Sequence, residues 1–308
     1  MSVPVSEEMF ASVATGVDLC FQTFGDPEGE PLLLVMGLGG PMNWWDAGFC
    51  TMLAEAGFLV TRFDNRDTGR SSRVPGRVSR RQLVQSIIGR GGPAPYTLSD
   101  MAADAFGLMD HLGWDSAHLA GVSMGGMIVQ TMAIDHPERV RSLTSIMSTI
   151  GKRTVGWQHP SLVPMLLAPR KAGREAYVAS SARLGQVIGS PGFPIDPDKA
   201  RARAEETFDR GVSASGVMRQ MLAVVNQPNR SRALRSLRMP AAIVHGSADK
   251  MVHVSGGRAT ARAIPGAELV IIDGLGHDMP EQLHETLTDI IRRTADRSAS
   301  STEADRTA

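Results

Sequence analysis

The stretch His118–Gln130, "HLAGVSMGGMIVQ", constrains the fold of this chain more than any other. A solvated loop serine needs no glycine neighbours. Here Ser123 stands between Gly121 and Gly125 in G-x-S-x-G spacing, after an apolar run and before a helix-like run. A short apolar run before a glycine-bounded turn reads as a buried strand, so the serine falls on a sharp strand-to-helix turn. Side chains two residues before and two after it would collide there, which accounts for both glycines. Gly126 gives further room for the helix to approach the sheet. Such a turn lifts the Ser123 hydroxyl above the sheet edge, over a helix N-terminus that favours developing negative charge. The bland alternative is a tight structural turn with an ornamental serine; the strand before and the helix after favour the nucleophile.

The surrounding pattern repeats this alternation. "SVATGVDLCFQTFG" predicts two antiparallel strands turning at Thr15 and Gly16, and "PLLLVMG" and "FLVTRFD" predict buried strands around a helix in "WWDAGFCTMLAEAG". "SDMAADAFGLMDHLG" predicts a helix with Ser99 as N-cap and Gly113 as its stop. The expected architecture is α/β, a mostly parallel eight-stranded sheet flanked by helices. From Thr149 to Arg235 no buried strand is visible, and three helical stretches joined by Pro/Gly loops predict an inserted helical cap over residues 149–235. The core is then 1–148 and 236–293. The polar, aperiodic tail 294–308 is expected to be disordered.

A serine hydroxyl is a poor nucleophile at neutral pH without a histidine base and an acid that orients it. In this architecture the order is Ser, acid, His. "IVHGSAD" places Asp249 in the loop after one strand, and "IIDGLGH" delivers His277 after the last. Asp278 neighbours His277, but adjacent side chains point apart; Asp273 reads as a turn residue; His245, inside the apolar run before Gly246, reads as a structural histidine at a strand end. Two backbone N–H groups are expected to hold the oxyanion: Met124, after the nucleophile, and Leu38, in the loop "VMGLGGPMNWW". The same "GLGG" fails as a dinucleotide loop, because position 42 is Met rather than Gly. No phosphate loop or metal-ligand spacing occurs, so neither cofactor nor metal is expected. Trp44, Trp45 and Met165 are candidate substrate contacts, with helix-start packing the rival reading for the tryptophans.

Composition sets the remaining bounds. With 308 residues and 42% apolar content the chain can bury a sizeable core, and its formal net charge of zero invites neither nucleic acid nor an anionic membrane. Cys20 and Cys50 fit no disulfide framework and read as small buried side chains. No signal peptide or membrane span is visible, so a cytoplasmic location is expected. Oligomeric state leaves no mark in the sequence.

Over about residues 15–293 the chain resembles the α/β-hydrolase superfamily. "LLLVMGLGG" stands where many members carry His-Gly-x-Pro, with Met36 in place of the histidine. "FDNRDTGRSS" resembles the loop after the fourth strand, with Asp67 where many members have glycine. Together these look like the branch of aclacinomycin methylesterase and bacterial carboxylesterases. The resemblance implies Ser123, Asp249 and His277 as a triad and Leu38 and Met124 as oxyanion donors. The expected activity is cofactor-independent hydrolysis of a carboxylic ester with a small to medium apolar substrate, water being the second reactant. C–C bond, lactone or amide hydrolysis and perhydrolysis remain open on the same triad. A non-catalytic receptor on a hydrolase scaffold is the alternative of another class, distinguished by failure to react with a fluorophosphonate. The cap's arginines, from their amphipathic spacing, are expected to face water.

Overall fold

The computed structural model describes residues 2–162 and 173–307, with side chains described as far as Ala299. Eight strands form one sheet in the order β1-β2-β4-β3-β5-β6-β7-β8. β1 (Met9–Ser12) and β2 (Asp18–Phe24) pair antiparallel, and β2 pairs antiparallel with β4 (Phe58–Phe63). The other six strands run parallel: β4, β3 (Glu30–Val35), β5 (Ala117–Val122), β6 (Val140–Ile146), β7 (Ala241–Gly246) and β8 (Glu268–Ile272). The chain leaves β3 for β4 on one side and returns to β5 on the other. That reversal opens a crevice at the carboxyl ends of β3 and β5, where parallel α/β sheets bind ligands.

Alternate residues of each strand feed two cores. Leu33 and Val35 of β3 pack with α3 (Leu98–His111), α4 (Met124–Asp135) and α8 (Ser255–Ala263) on one face. Leu32, Leu34 and Met36 pack with α1 (Ala47–Glu55) and α9 (His284–Thr307) on the other. β5, buried along its whole length, reads accordingly as a continuous apolar run. Cys20 and Cys50 are buried free thiols; burial pushes the Cys50 thiol up to about 12, so it is inert at neutral pH.

Two local expectations need correction. α3 is capped by Thr97, not Ser99: Thr97 Oγ1 accepts from the Asp100 N–H at 3.2 Å while Asp100 Oδ2 accepts from the Thr97 N–H at 2.7 Å. The reciprocal box satisfies two donors at once, and Ser99 falls inside the first turn. The first residues of the expected tail belong to α9: Thr294 is fully buried and Ala295 packs with Ile290 and Ile291 in the second core.

Between β6 and β7 lie α5 (Arg174–Ile188), α6 (Pro197–Gly211) and α7 (Ala214–Val225). A shorter helix, α2 (Arg80–Ile87), follows β4 and packs on α7. None of the helices among the described residues is long and apolar enough to cross a membrane.

Candidate active site

Ser123 has φ 56° and ψ −116°, a conformation that L-residues avoid and that only a rigid surround maintains. The surround is backbone. A Cβ on Gly121 would lie 2.3 Å from the Gly125 carbonyl oxygen, and one on Gly125 would lie 1.9 Å from the Val35 carbonyl oxygen. Gly126 faces Ser148, whose hydroxyl donates to the Ser123 carbonyl at 2.7 Å. The elbow is therefore wedged between β3 and β6 with no space for side chains at the flanking positions.

His277 lies between Ser123 and Asp249. Its Nε2 is 3.1 Å from Ser123 Oγ and its Nδ1 is 2.8 Å from Asp249 Oδ2. The carboxylate accepts, so Nδ1 carries the proton and Nε2 presents its lone pair to the serine. Asp249 Oδ1 takes two backbone N–H groups, Met251 and Val252, each at 2.8 Å. Burial alone would raise the Asp249 carboxyl; its electrostatic and hydrogen-bond contacts with His277 and His245 outweigh that and hold the group well below the usual carboxylate range. His245, expected to be merely structural, lies 3.4 Å from Asp249 Oδ2. Asp278 points elsewhere: Ser190 donates to its Oδ1, and burial lifts its carboxyl above the ordinary value.

The loop after β3 approaches the nucleophile closely, with a Cβ on Gly37 only 3.2 Å from Ser123 Cβ. The Gly40 N–H donates to the Gly37 carbonyl at 3.2 Å, and Gly39 has φ 67°. Leu38 and Gly39 thus form the centre of a tight turn whose third residue must be left-handed. Met124 is the first residue of α4, where backbone N–H groups have no partner within the helix. Met124 follows Ser123 directly, and Leu38 follows Gly37, the residue of this loop that meets the serine.

Sequence reasoning missed how much of this frame comes from the inserted helices. Gln220 of α7 is fully buried; its Oε1 accepts from the Gly39 N–H at 2.8 Å and its Nε2 donates to Arg66 O and Thr68 Oγ1. The His277 N–H donates to the Ile188 carbonyl at 2.7 Å, and the Gly276 N–H donates to Ser190 Oγ at 2.8 Å. Gly276 is glycine because a Cβ there would lie 2.4 Å from both the Ile188 and Gly189 oxygens. Two arginines expected to face water are instead buried. Arg210 pairs with Asp64 at 2.7 Å and Glu8 at 2.6 Å, and Arg219 forks onto Asp67 at 2.6 and 2.8 Å. Asp67 has φ 71°, which explains why glycine suits this position elsewhere in the resemblance; its carboxylate also takes the Tyr96 hydroxyl at 2.7 Å and the Val74 N–H.

The two tryptophans separate. Trp45 is fully buried and stacks on Phe49 at 5.9 Å, so it belongs to the core and not to the substrate. Trp44 is half-buried; its indole N–H donates to Thr207 Oγ1 of α6 at 2.9 Å. Met165 lies outside the described residues. No group of residues that could hold a metal ion occurs among the described residues.

An eight-stranded, mostly parallel sheet with a serine elbow at its topological switch point is the framework of the α/β hydrolases. The chain belongs to the alpha/beta hydrolase fold family, whose pattern it matches over residues 30–282. It is similar to rhodomycin D methylesterase DauP of Streptomyces sp. (strain C5), 30% identical over 292 residues that cover 88% of this chain and 92% of that one. Rhodomycin D methylesterase DnrP of Streptomyces peucetius is 27% identical over 293 residues, with the same shares covered. Among solved structures, the esterase RhEst1 from Rhodococcus sp. ECU1013 superposes with TM-score 0.71 at 20% identity, covering 96% of this chain and 99% of its own. The chain is a carboxylesterase-like hydrolase of the methylesterase-like branch.

Proposed function

We propose that the chain hydrolyses a carboxylic ester through an acyl-enzyme, with Ser123 as nucleophile, His277 as base and Asp249 as orienting acid. The observation that carries this reading is the bridging position of His277, 2.8 Å from Asp249 and 3.1 Å from Ser123. Ser123 Oγ attacks the ester carbonyl carbon while His277 Nε2 takes its proton. The carbonyl oxygen becomes an oxyanion facing the N–H groups of Leu38 and Met124. His277 then protonates the departing alcohol. Water, deprotonated by the same imidazole, attacks the acyl carbon and restores Ser123. Throughout, Asp249 fixes the Nδ1–H tautomer and stabilises the transient imidazolium.

Substrate preference follows from charge. Arg210 and Arg219 are consumed by Asp64, Asp67 and Glu8, so these cap arginines offer no unpaired cation to an anionic substrate. Leu38 packs among apolar side chains of the first core. This favours neutral, medium-sized ester groups. Likeness to the rhodomycin D methylesterases makes the methyl ester of a polycyclic acid one specific candidate. The test is a panel of p-nitrophenyl esters, polycyclic methyl esters, lactones and amides, with Ser123→Ala alongside. Hydrolysis of p-nitrophenyl acetate or butyrate that falls with acyl length, and vanishes by several orders of magnitude in Ser123→Ala together with fluorophosphonate labelling, is expected. Wild-type turnover in that variant, or C–C cleavage with no ester hydrolysis, overturns the proposal.

A further inference from the structure

We infer that His245 is a positioning residue that locks the acid of this site, a role that rests on the hydrolase reading above. The ring sits at the end of β7, fully buried, four residues before Asp249. Its Nε2 is 2.7 Å from the Val252 carbonyl oxygen and 3.4 Å from Asp249 Oδ2. A carbonyl only accepts, so Nε2 bears the proton, and one N–H faces both oxygens. Nδ1 is buried without a partner among the described residues. On that side the ring meets Gly257 of α8, where a Cβ would stand 2.5 Å from Nδ1. A glycine in the interior of a helix weakens it; here it makes the space the imidazole occupies.

Val252 closes the geometry. Its N–H and that of Met251 hold Asp249 Oδ1, while its carbonyl is held by His245. One turn, residues 249–252, is thus gripped from two directions, and Asp249 Oδ2 is left aimed at His277 Nδ1. Without the ring N–H the Val252 carbonyl loses its partner and the carboxylate loses its second neighbour. The acid would then orient the base less strictly as positive charge develops on His277, an effect on turnover and not on substrate binding.

The test compares His245→Phe, which keeps a ring and removes the N–H, with His245→Gln, which returns an N–H near Nε2. On p-nitrophenyl acetate the Phe variant should lose about ten- to a hundredfold in kcat at unchanged KM, and Gln should regain most of it. The low-field proton resonance of the His277–Asp249 hydrogen bond should move in Phe and return in Gln. Should His245→Phe fail to fold, Gly257→Ala, which presses on the ring from α8, should give the same kcat loss and resonance shift. Full kcat with an unmoved resonance in the Phe variant, or equal loss in Phe and Gln, overturns the proposal. Ser123→Ala measured in parallel separates it from the reading beneath it. Activity surviving there sinks the hydrolase mechanism itself; an inactive Ser123→Ala beside a fully active His245→Phe sinks only the positioning role.

Discussion

Asp249 and Asp278 are two carboxylates within reach of one loop, and their surroundings drive them apart. Asp249 accepts two backbone N–H groups and an imidazole N–H, and stays ionised. Asp278 is buried against a serine hydroxyl and is pushed toward its protonated form. Asp249→Asn should therefore lower kcat by about 10⁴, because an amide no longer enforces the histidine tautomer. Asp278→Asn should change it less than tenfold, since an amide can still meet Ser190. Steady-state kinetics on both variants decide between them, and the reverse order would reassign the acid. Ser123, Asp249 and His277 were legible in the sequence because each follows an apolar strand, at the edge where chemistry collects. His245 was not. A histidine inside an apolar run reads as core, and no local pattern says that its ring reaches a loop four residues on.

At the level of single strands and helices, β5 carries a titration of its own. His118 is 1% exposed, with Nδ1 2.8 Å from Ser142 Oγ on β6 and Nε2 3.1 Å from Glu30 Oε2 on β3. Burial outweighs the attraction of Glu30 and lowers the imidazole from 6.5 to about 4. The unfolded chain thus binds this proton first as pH falls. Stability from His118 is full above about 6.5, declines on acidification, and stops declining near 4, a loss of about 3 kcal/mol. Urea midpoints between pH 4 and 8 should slope less in His118→Gln than in the wild type across that window; parallel slopes would show that His118 does not titrate there. The elements themselves were mostly visible as periodicity. Where expectation failed, a specific interaction overrode it: the reciprocal Thr97–Asp100 bond displaced Ser99 as cap, and apolar contacts of Ala295 carried α9 past the point where the composition turns polar.

Across the whole molecule, the inserted helices are bolted to the core by buried charge. Arg219 and Asp67 are 4% and 0% exposed, so both charges are held away from bulk solvent. Removing one member of such a pair strands the other. Arg219→Met should cost about 3–5 kcal/mol, while Arg219→Met with Asp67→Gly should recover only part of it: the left-handed backbone at 67 accepts glycine without strain, but the Tyr96 hydroxyl and the Val74 N–H lose their acceptor. A double-mutant cycle from urea unfolding measures this coupling; simple additivity would mean the pair is not a unit. Long-range pairs of this kind were illegible in the sequence for a plain reason. Amphipathic spacing marks an arginine as wet, and nothing local reveals a carboxylate more than a hundred residues away that makes it dry.

The bond from His277 N–H to the Ile188 carbonyl, with Ser190 and Gly276 beside it, bears on how such a protein can be remade. Exchanging the segment between β6 and β7 is an obvious route to a new specificity, and one that treats the segment as a removable module. Here the last turn of α5 is also part of the scaffold beneath the proposed base. A chimera cut at the ends of β6 and β7 would lose that acceptor and serine together with the old specificity, whatever pocket it gained. The productive junctions lie on either side of residues 188–192, so that those five positions travel with the core and the rest of the insertion is left to vary.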